Sequence, residues 1–414
     1  MQHMSEEVDV VIVGAGLAGL NAAITVQRAG RSLLVLEAAD AVGGRMRTDE
    51  VDGLQLDRGF QILNPAYPEL VDLGLLEELD LRPFDAGIMV ALEQGIARLG
   101  DPRRRPQWLL SSVLSGVGDV SEKAKLMAAI ARIWMRSSLA NPMERAGSVE
   151  QSLQVDGVGA RIYERVLRPF LSGVFLDDPE QVAAGHGDFV VRSFLDGRPS
   201  LPARGMGALP KAMALRLPRE ALRLNTAVHE VAPGRVRVDG GEITARQVIV
   251  AVDPRTAGSW FPKLGVPDTR ACTSWYHVTR QAPAEERAIL VDGLRRGPVM
   301  NSVALSKVAP GYASGGRTLM SSTALGRLPS AADEQAARAH LASMWGTSTA
   351  DWELVRTDVI EAALPSLAPG QPMARTVEVE PGLLLAGDHR NTPSQQGALL
   401  SGRRAARVAL RALQ

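Results

Sequence analysis

A chain of 414 residues, 45% hydrophobic and 22% charged, is long enough for two domains and a large buried core, and its balance excludes a disordered tail. Lys plus Arg equals Asp plus Glu at 46 each, so no basic surplus points to nucleic acid as a partner. The single cysteine, Cys272, excludes an internal disulfide and fits a reducing cytoplasm, and no cysteine pair or histidine cluster has metal-ligand spacing. Residues 1–7 read as a short disordered lead-in without signal-peptide character, with Met4 a candidate natural start. No apolar stretch approaches bilayer length. A cytoplasmic protein is expected, peripherally attached to a membrane at most.

The chain opens on an apolar run, residues 10–13, followed at once by Gly14, Gly16 and Gly19. A helical stretch to Arg28 and a second apolar run, 32–36, end at Glu37. This is the strand–turn–helix–strand order of a dinucleotide fingerprint. Gly14 allows the tight turn, Gly16 lets backbone approach a pyrophosphate, and Gly19 lets helix pack on strand. The helix N-terminus offers N–H groups to phosphate. A carboxylate at Glu37 can accept from ribose hydroxyls and repels a 2′-phosphate, which argues against NADP.

After Glu37 come Ala38 and then Gly43-Gly44-Arg45. Here the chain resembles the flavin amine oxidase and phytoene desaturase superfamily, whose first motif runs from the acidic residue into a GGR segment. The resemblance implies non-covalent FAD, an α/β fold with a Rossmann-like parallel sheet, and an interleaved α+β substrate domain. By it, Gly14, Ala15, Gly16, Gly19, Glu37, Ala38, Gly43, Gly44 and Arg45 surround the adenosine and pyrophosphate. The turn Asp57-Arg58-Gly59-Phe60-Gln61 would put Gly59, Phe60 and Gln61 beside the flavin ring. On spacing alone that turn reads equally as an ordinary β-turn.

From 83 to 195 the texture is helical. Residues 123–138 carry Leu126, Ala129, Ile130, Ile133 and Trp134 at helical spacing. Ahead of them, Arg103-Arg104-Arg105 leads into Trp108-Leu109-Leu110, a solvated loop before a core helix or a membrane-surface contact. A helix is expected over 208–217 and a strand over 222–228, then a hairpin turning at Asp239-Gly240 and a strand over 247–252. The resemblance has Val228 meeting the adenine through its backbone. Between 261 and 375, strands at 271–281 and 298–308 and a helix at 331–345 would form a second lobe over the flavin. No nucleophile elbow or acid–base pair stands out, so no catalytic residue and no metal ligand is assigned.

The chain closes with an apolar strand ending in Gly387-Asp388, then a helix opening at Gln396-Gly397-Ala398. In the resembled superfamily this is the other half of the flavin clamp. Asp388 would reach the ribitol or phosphate, and the helix N-terminus, through Gln396, Gly397 and Ala398, would face the ring's pyrimidine edge and favour reduced flavin. The FAD-binding domain is then 1–82, 200–260 and 376–414, and the substrate domain 83–199 and 261–375.

Amine oxidases of this superfamily carry a tyrosine before the closing helix and a lysine near the flavin. Here the first position is Ser394, the strand 271–281 has no lysine, and Lys307 is a substitute or a plain surface lysine. The expectation is therefore the desaturase-like branch, an FAD-dependent oxidoreductase that oxidises or desaturates a hydrophobic small molecule by hydride transfer to flavin N5. The alternatives are a redox-neutral isomerase of a polyene or lipid, an amine oxidase, and a non-catalytic prenyl-protein escort. With no second glycine fingerprint, oxygen, a quinone or another acceptor would reoxidise the flavin. Covalent attachment through Cys272 is not expected, because that residue is remote in sequence from the closing motif.

Overall fold

A computed structural model describes residues 7–101 and 103–414. The lead-in expected over 1–7 lies outside the described residues, apart from Glu7, which opens the first strand. That strand, Glu7–Val13, sits inside an eight-stranded sheet with parallel neighbours on both sides. Val10 to Val13 face Leu33 to Leu36 on one side and Gln247 to Val250 on the other. Val10 and Ile12 enter the core that holds the helix Leu17–Arg28, whereas Val11 and Val13 enter a second core on the opposite face. A strand covered on both faces has to be apolar throughout, which is why this run shows no alternation.

The long strand Gly241–Val250 serves two partners. Its first half pairs with Arg235–Val238 in a hairpin, and Val248–Val250 pair in parallel with Leu383–Leu385. The hairpin was expected as separate strands before and after residues 245–246; one strand, Gly241–Val250, runs through them unbroken. The strand expected over 222–228 is two. Leu222–Arg223 extends the sheet beside Leu33–Leu36, and Val228–Ala232 lies at the opposite edge against Arg235–Val238. Between them Asn225, at φ 51°, turns the chain, and Asn225 and Thr226 donate their N–H groups to the carbonyls of Ala39 and Glu37. The connection thus crosses the ends of the parallel strands instead of continuing one of them.

A second, mainly antiparallel sheet of seven strands runs in the order Glu353–Pro365, Thr269–Thr279, Thr318–Leu325, Val299–Ala304, Ile289–Asp292, Gly87–Leu92, Gly95–Gly100. The strand expected over 298–308 ends at Ala304 and gives way to a helical turn, Leu305–Val308. The helix at 331–345 forms where expected, started by a reciprocal Ser330–Asp333 cap. The helix read over 123–138 begins earlier, at Val120, because Asp119 and Glu122 cap each other's backbone. Its Ala129 and Ile133 are buried, but Trp134, about 100° further round the helix, is 52% exposed beside the guanidinium of Arg192.

The last helix, Gln395–Ala412, lies along Leu17–Arg28 at a closeness only glycine permits. A Cβ on Gly402 would sit 2.0 Å from the carbonyl oxygen of Ala18. Gly402→Ala should therefore push the two helices apart and cost about 1–3 kcal/mol, read as a lowered thermal midpoint by calorimetry; an unchanged midpoint would refute the close packing.

Candidate functional site

The sheet ends, the second sheet and several helices enclose a cavity of about 870 Å³. At one end lies the glycine turn. Gly14, at φ +100°, donates to the Leu36 carbonyl at 2.7 Å, and a Cβ there would meet the Ala251 oxygen at 2.5 Å. A Cβ on Gly19 would strike the Gly14 oxygen, so Gly19 serves the packing and does not line the cavity. Gly16 is different: it lines the cavity, and a Cβ on it would meet no atom within 4 Å. Gly16 starts the helix Leu17–Arg28 without any side-chain cap, which leaves the first-turn N–H groups open toward the cavity.

Glu37 and Ala38 line the same end. The Glu37 carboxylate accepts from Ala15 N–H at 2.6 Å and Ala39 N–H at 2.9 Å, so Ala15 orients it from behind rather than facing the cavity. Gly43 donates to the Ala15 carbonyl, which lays Gly43-Gly44-Arg45 over the glycine turn. Arg45 reaches on to Asp388 at 2.6 Å and to the Ala363 carbonyl at 2.9 Å. Asp388 is buried; Arg45 keeps about a third of its side chain accessible (35%) and lines the cavity. Val228 stands on the same wall.

Further in come Gly59, Phe60 and Gln61, with Gln61 donating to the Arg45 carbonyl at 2.9 Å. The turn is anchored by Asp57, 2% exposed, whose carboxylate accepts from Thr48 Oγ1, Met206 N–H and Tyr312 OH at 2.5, 2.9 and 2.7 Å. Its carbonyl accepts from Tyr276 OH and Arg356. Burial pushes the Asp57 carboxyl up to about 6, against the pull of its hydrogen bonds.

At the closing motif, Gly387, Asp388 and Ala398 line the cavity and Gln396 and Gly397 do not. Gln396 turns away to accept from Glu69 N–H at 3.1 Å. Gly397 donates to Ser394 Oγ, the helix cap, and a Cβ on it would overlap the Thr392 oxygen. The side chain that faces the cavity from this helix is the preceding one, Gln395, held by the Ile62 carbonyl. An uncapped helix end, a fixed carboxylate, a glycine cradle and a guanidinium share the lining of this one cavity. The donor set fits FAD.

The far end is built from residues the motifs do not reveal. Tyr67, Phe189 and His186 stack nearly parallel, with ring centres 6.1 and 6.0 Å apart. Phe170, Val190, Phe194 and Val291 complete an apolar wall. Four of the seven phenylalanines in this aromatic-poor chain, residues 60, 170, 189 and 194, line the cavity, the last three at this end. A legible trace exists: positions 186, 189, 190, 193 and 194 share one face of the helix Ala184–Asp196. Burial drives the His186 ring down to about 4, so it stays neutral, and its Nδ1 has no partner among the described residues. The same holds for Oδ1 of Asn301, also on the wall and 7% exposed.

Cys272 lies on this wall despite its distance in sequence from the closing motif, because the strand Thr269–Thr279 runs beside Glu353–Pro365, which borders the cavity. Burial pushes its thiol up to about 12, so it is no nucleophile at neutral pH. Lys307 sits outside the cavity on the short helix, paired with Glu285 at 2.7 Å.

Two outcomes follow. Gly16→Ala should leave the stability of the cofactor-free protein unchanged and weaken flavin binding roughly tenfold or more, read by fluorescence titration; equal affinity would remove Gly16 from the site. The second concerns pH. Burial lowers His186 and His389 to about 4, so their contribution to stability is complete above 6.5 and lost as pH falls toward 4. Asp57, raised to about 6, acts oppositely: its contribution is complete below about 4 and lost as pH rises through 6. Asp57→Asn should therefore lose stability more steeply than the parent on acidification from pH 6 to 4, as urea titrations would record. Parallel curves would contradict a raised Asp57.

Comparison with known proteins agrees with this geometry. The family described as flavin containing amine oxidoreductase matches residues 17–410. The chloroplastic protoporphyrinogen oxidase of Nicotiana tabacum is 33% identical over 180 residues, 43% of this chain and 31% of that enzyme, so the chain spans about a third of that relative's length. The hydroxysqualene dehydroxylase of Rhodopseudomonas palustris is 27% identical over 453 positions, 97% of this chain and 98% of its own. Among solved structures, an oxidoreductase from Methanosarcina mazei superposes with a TM-score of 0.76 over 96% of this chain and 99% of its own, at 15% identity, a likeness of fold alone.

Proposed function

The chain belongs to the flavin containing amine oxidoreductase family, and from that premise we propose that it oxidises or desaturates an apolar small molecule against non-covalently held FAD. That it is an FAD-dependent oxidoreductase follows from the family and its mixed α/β fold. FAD, when bound, supplies a two-electron acceptor whose ring N5 takes the hydride of a substrate C–H bond. The protein's share is to bind, orient and exclude water. Gly14, Gly16 and the uncapped helix end would take the pyrophosphate, and Glu37 the ribose. Val228 would take the adenine side, Arg45 with Asp388 the ribitol side, and Gly59, Phe60 and Gln61 the ring. The protonated thiol of Cys272 favours non-covalent binding. Oxygen, a quinone or another acceptor would take the electrons onward.

The single observation that carries the substrate class is the absence of charge in the chamber. Six ionised side chains line the cavity (Glu37, Arg45, Arg58, Asp253, Glu361 and Asp388), and none comes from the helices Arg168–Phe175 and Ala184–Asp196 or the strands Ile289–Asp292, Val299–Ala304 and Thr318–Leu325. An apolar molecule gains roughly 25 cal/mol per Å² on entering such a wall. A protonated amine loses its hydration against these five elements, and none of them supplies a counter-charge to the lining. Asn301 and His186 offer unpartnered polar atoms, which suits an apolar body carrying one uncharged polar group. The name of the relative aligned along 97% of the chain, a hydroxysqualene dehydroxylase, indicates the same class, an oxygen-bearing isoprenoid.

Anaerobic mixing of flavin-loaded protein with isoprenoid alcohols should bleach the flavin band, and mixing with putrescine should not. Bleaching by the amine alone would overturn the proposal. Asn301→Asp, nearly isosteric but charged, should slow the bleaching by about tenfold or more while flavin content stays constant.

A further inference from the structure

Nine of the 14 exposed large apolar side chains among the described residues fall between residues 109 and 143. The short helix Leu109–Leu114 buries no residue, although Leu110 is 69% and Leu114 73% exposed. The helix Val120–Arg136 has two apolar faces. One, with Ala129 and Ile133, packs on the protein. The other holds Val120, Met127, Trp134 and Met135, with Ala124, Ala128 and Ala131 between them, and every one of these is exposed. Their spacing of three and four residues makes a continuous stripe. Lys123 joins the two helices by donating to the carbonyls of Val113 at 2.7 Å and Ser115 at 3.0 Å, so the patches form one surface.

We propose that this surface seats the protein on an anionic lipid membrane, with the stripe of Val120–Arg136 and the helix Leu109–Leu114 entering the headgroup boundary. Charge selects this occupant. Residues 103–136 carry seven basic and two acidic side chains in a chain whose charges balance overall. Arg103, Arg105, Arg132 and Arg136 meet carboxylates outside that segment, whereas Lys123 and Lys125 pair with no carboxylate among the described residues. Lys125 and Arg132 stand exposed on one flank of the stripe. Basic residues bordering an apolar stripe that includes a tryptophan match an anionic interface. A second copy of the chain would bring the same cationic surplus against itself across a two-fold axis. No helix among the described residues is long and apolar enough to cross a membrane, so the attachment lies in one leaflet.

The surface adjoins the chamber. The helix Ala184–Asp196 lies beneath it, with Arg192 over the Trp134 ring at 5.0 Å and Asp188 held by Arg136 at 2.6 Å. The other side of that helix carries Phe189, Val190 and Phe194 of the chamber wall. A lipid-dissolved substrate would thus leave the membrane one helix away from the site.

The test is flotation of the flavin-loaded full chain with phosphatidylglycerol vesicles and with neutral phosphatidylcholine vesicles. Flotation with the anionic vesicles, weakened by salt, is expected. The combined variant Leu110→Glu, Met127→Glu, Met135→Glu should bind roughly tenfold or more weakly, with its flavin spectrum and thermal midpoint unchanged. No flotation at low salt, or equal flotation of the variant, overturns the proposal. So does a dimer by light scattering that the variant dissociates, since the face would then belong to a second copy. The readout needs no substrate, so it stands apart from the substrate class proposed above.

Discussion

The ion pair between Arg45 and Asp388 joins residues 343 positions apart and brings the two ends of the chain into one cavity lining. Asp388 is buried, and a carboxylate in that place without its guanidinium would be an uncompensated charge in low dielectric. The pair therefore demands that two remote stretches arrive together. Arg45 is delivered by the loop folded over the glycine turn, and Asp388 by the strand Leu383–Leu385, parallel to Val248–Val250 one strand from the start of the chain. The glycine contact between the two long helices serves the same end, because it draws the closing segment against the first.

Asp57 ties the second sheet to the turn that carries Gly59, Phe60 and Gln61, as that pair ties the two termini. Its carboxylate and carbonyl together take hydrogen bonds from Thr48, Met206, Tyr312, Tyr276 and Arg356, drawn from segments far apart in the sequence. Such a buried acceptor is tolerated because every donor points at it, and its raised carboxyl records the remaining cost of desolvation. The Gly59-Phe60-Gln61 turn inherits its position from this anchor.

Local chemistry made one half of the molecule legible. The glycines at 14, 16 and 19, the end of the second strand at Glu37, and Gly387-Asp388 are short-range demands of a tight turn beside a parallel sheet, and they show in a few consecutive letters. The chamber wall was not legible in this way. Tyr67 and Phe189 stack across 122 positions, and no pattern within either segment specifies the other. Neighbouring letters also misled. Gln395, not Gln396, faces the cavity, because one residue turns a helix by about 100° and Gln396 is already engaged by Glu69. Trp134, read at helical spacing with Ala129 and Ile133, lies instead on the exposed face beside Arg192. The apparent strand at 222–228 broke at Asn225 because a polar residue tolerates positive φ where the chain must cross the sheet.

One small ladder governs how this architecture can change. Leu81–Pro83 pairs antiparallel with Ser200–Pro202, so the long excursion between them leaves and returns at the same point. Lengthening or exchanging that excursion would barely alter the entropy of closing it, since loop cost grows only with the logarithm of length. Insertions and replacements there would reshape the chamber wall while leaving the framework around the glycine turn in place.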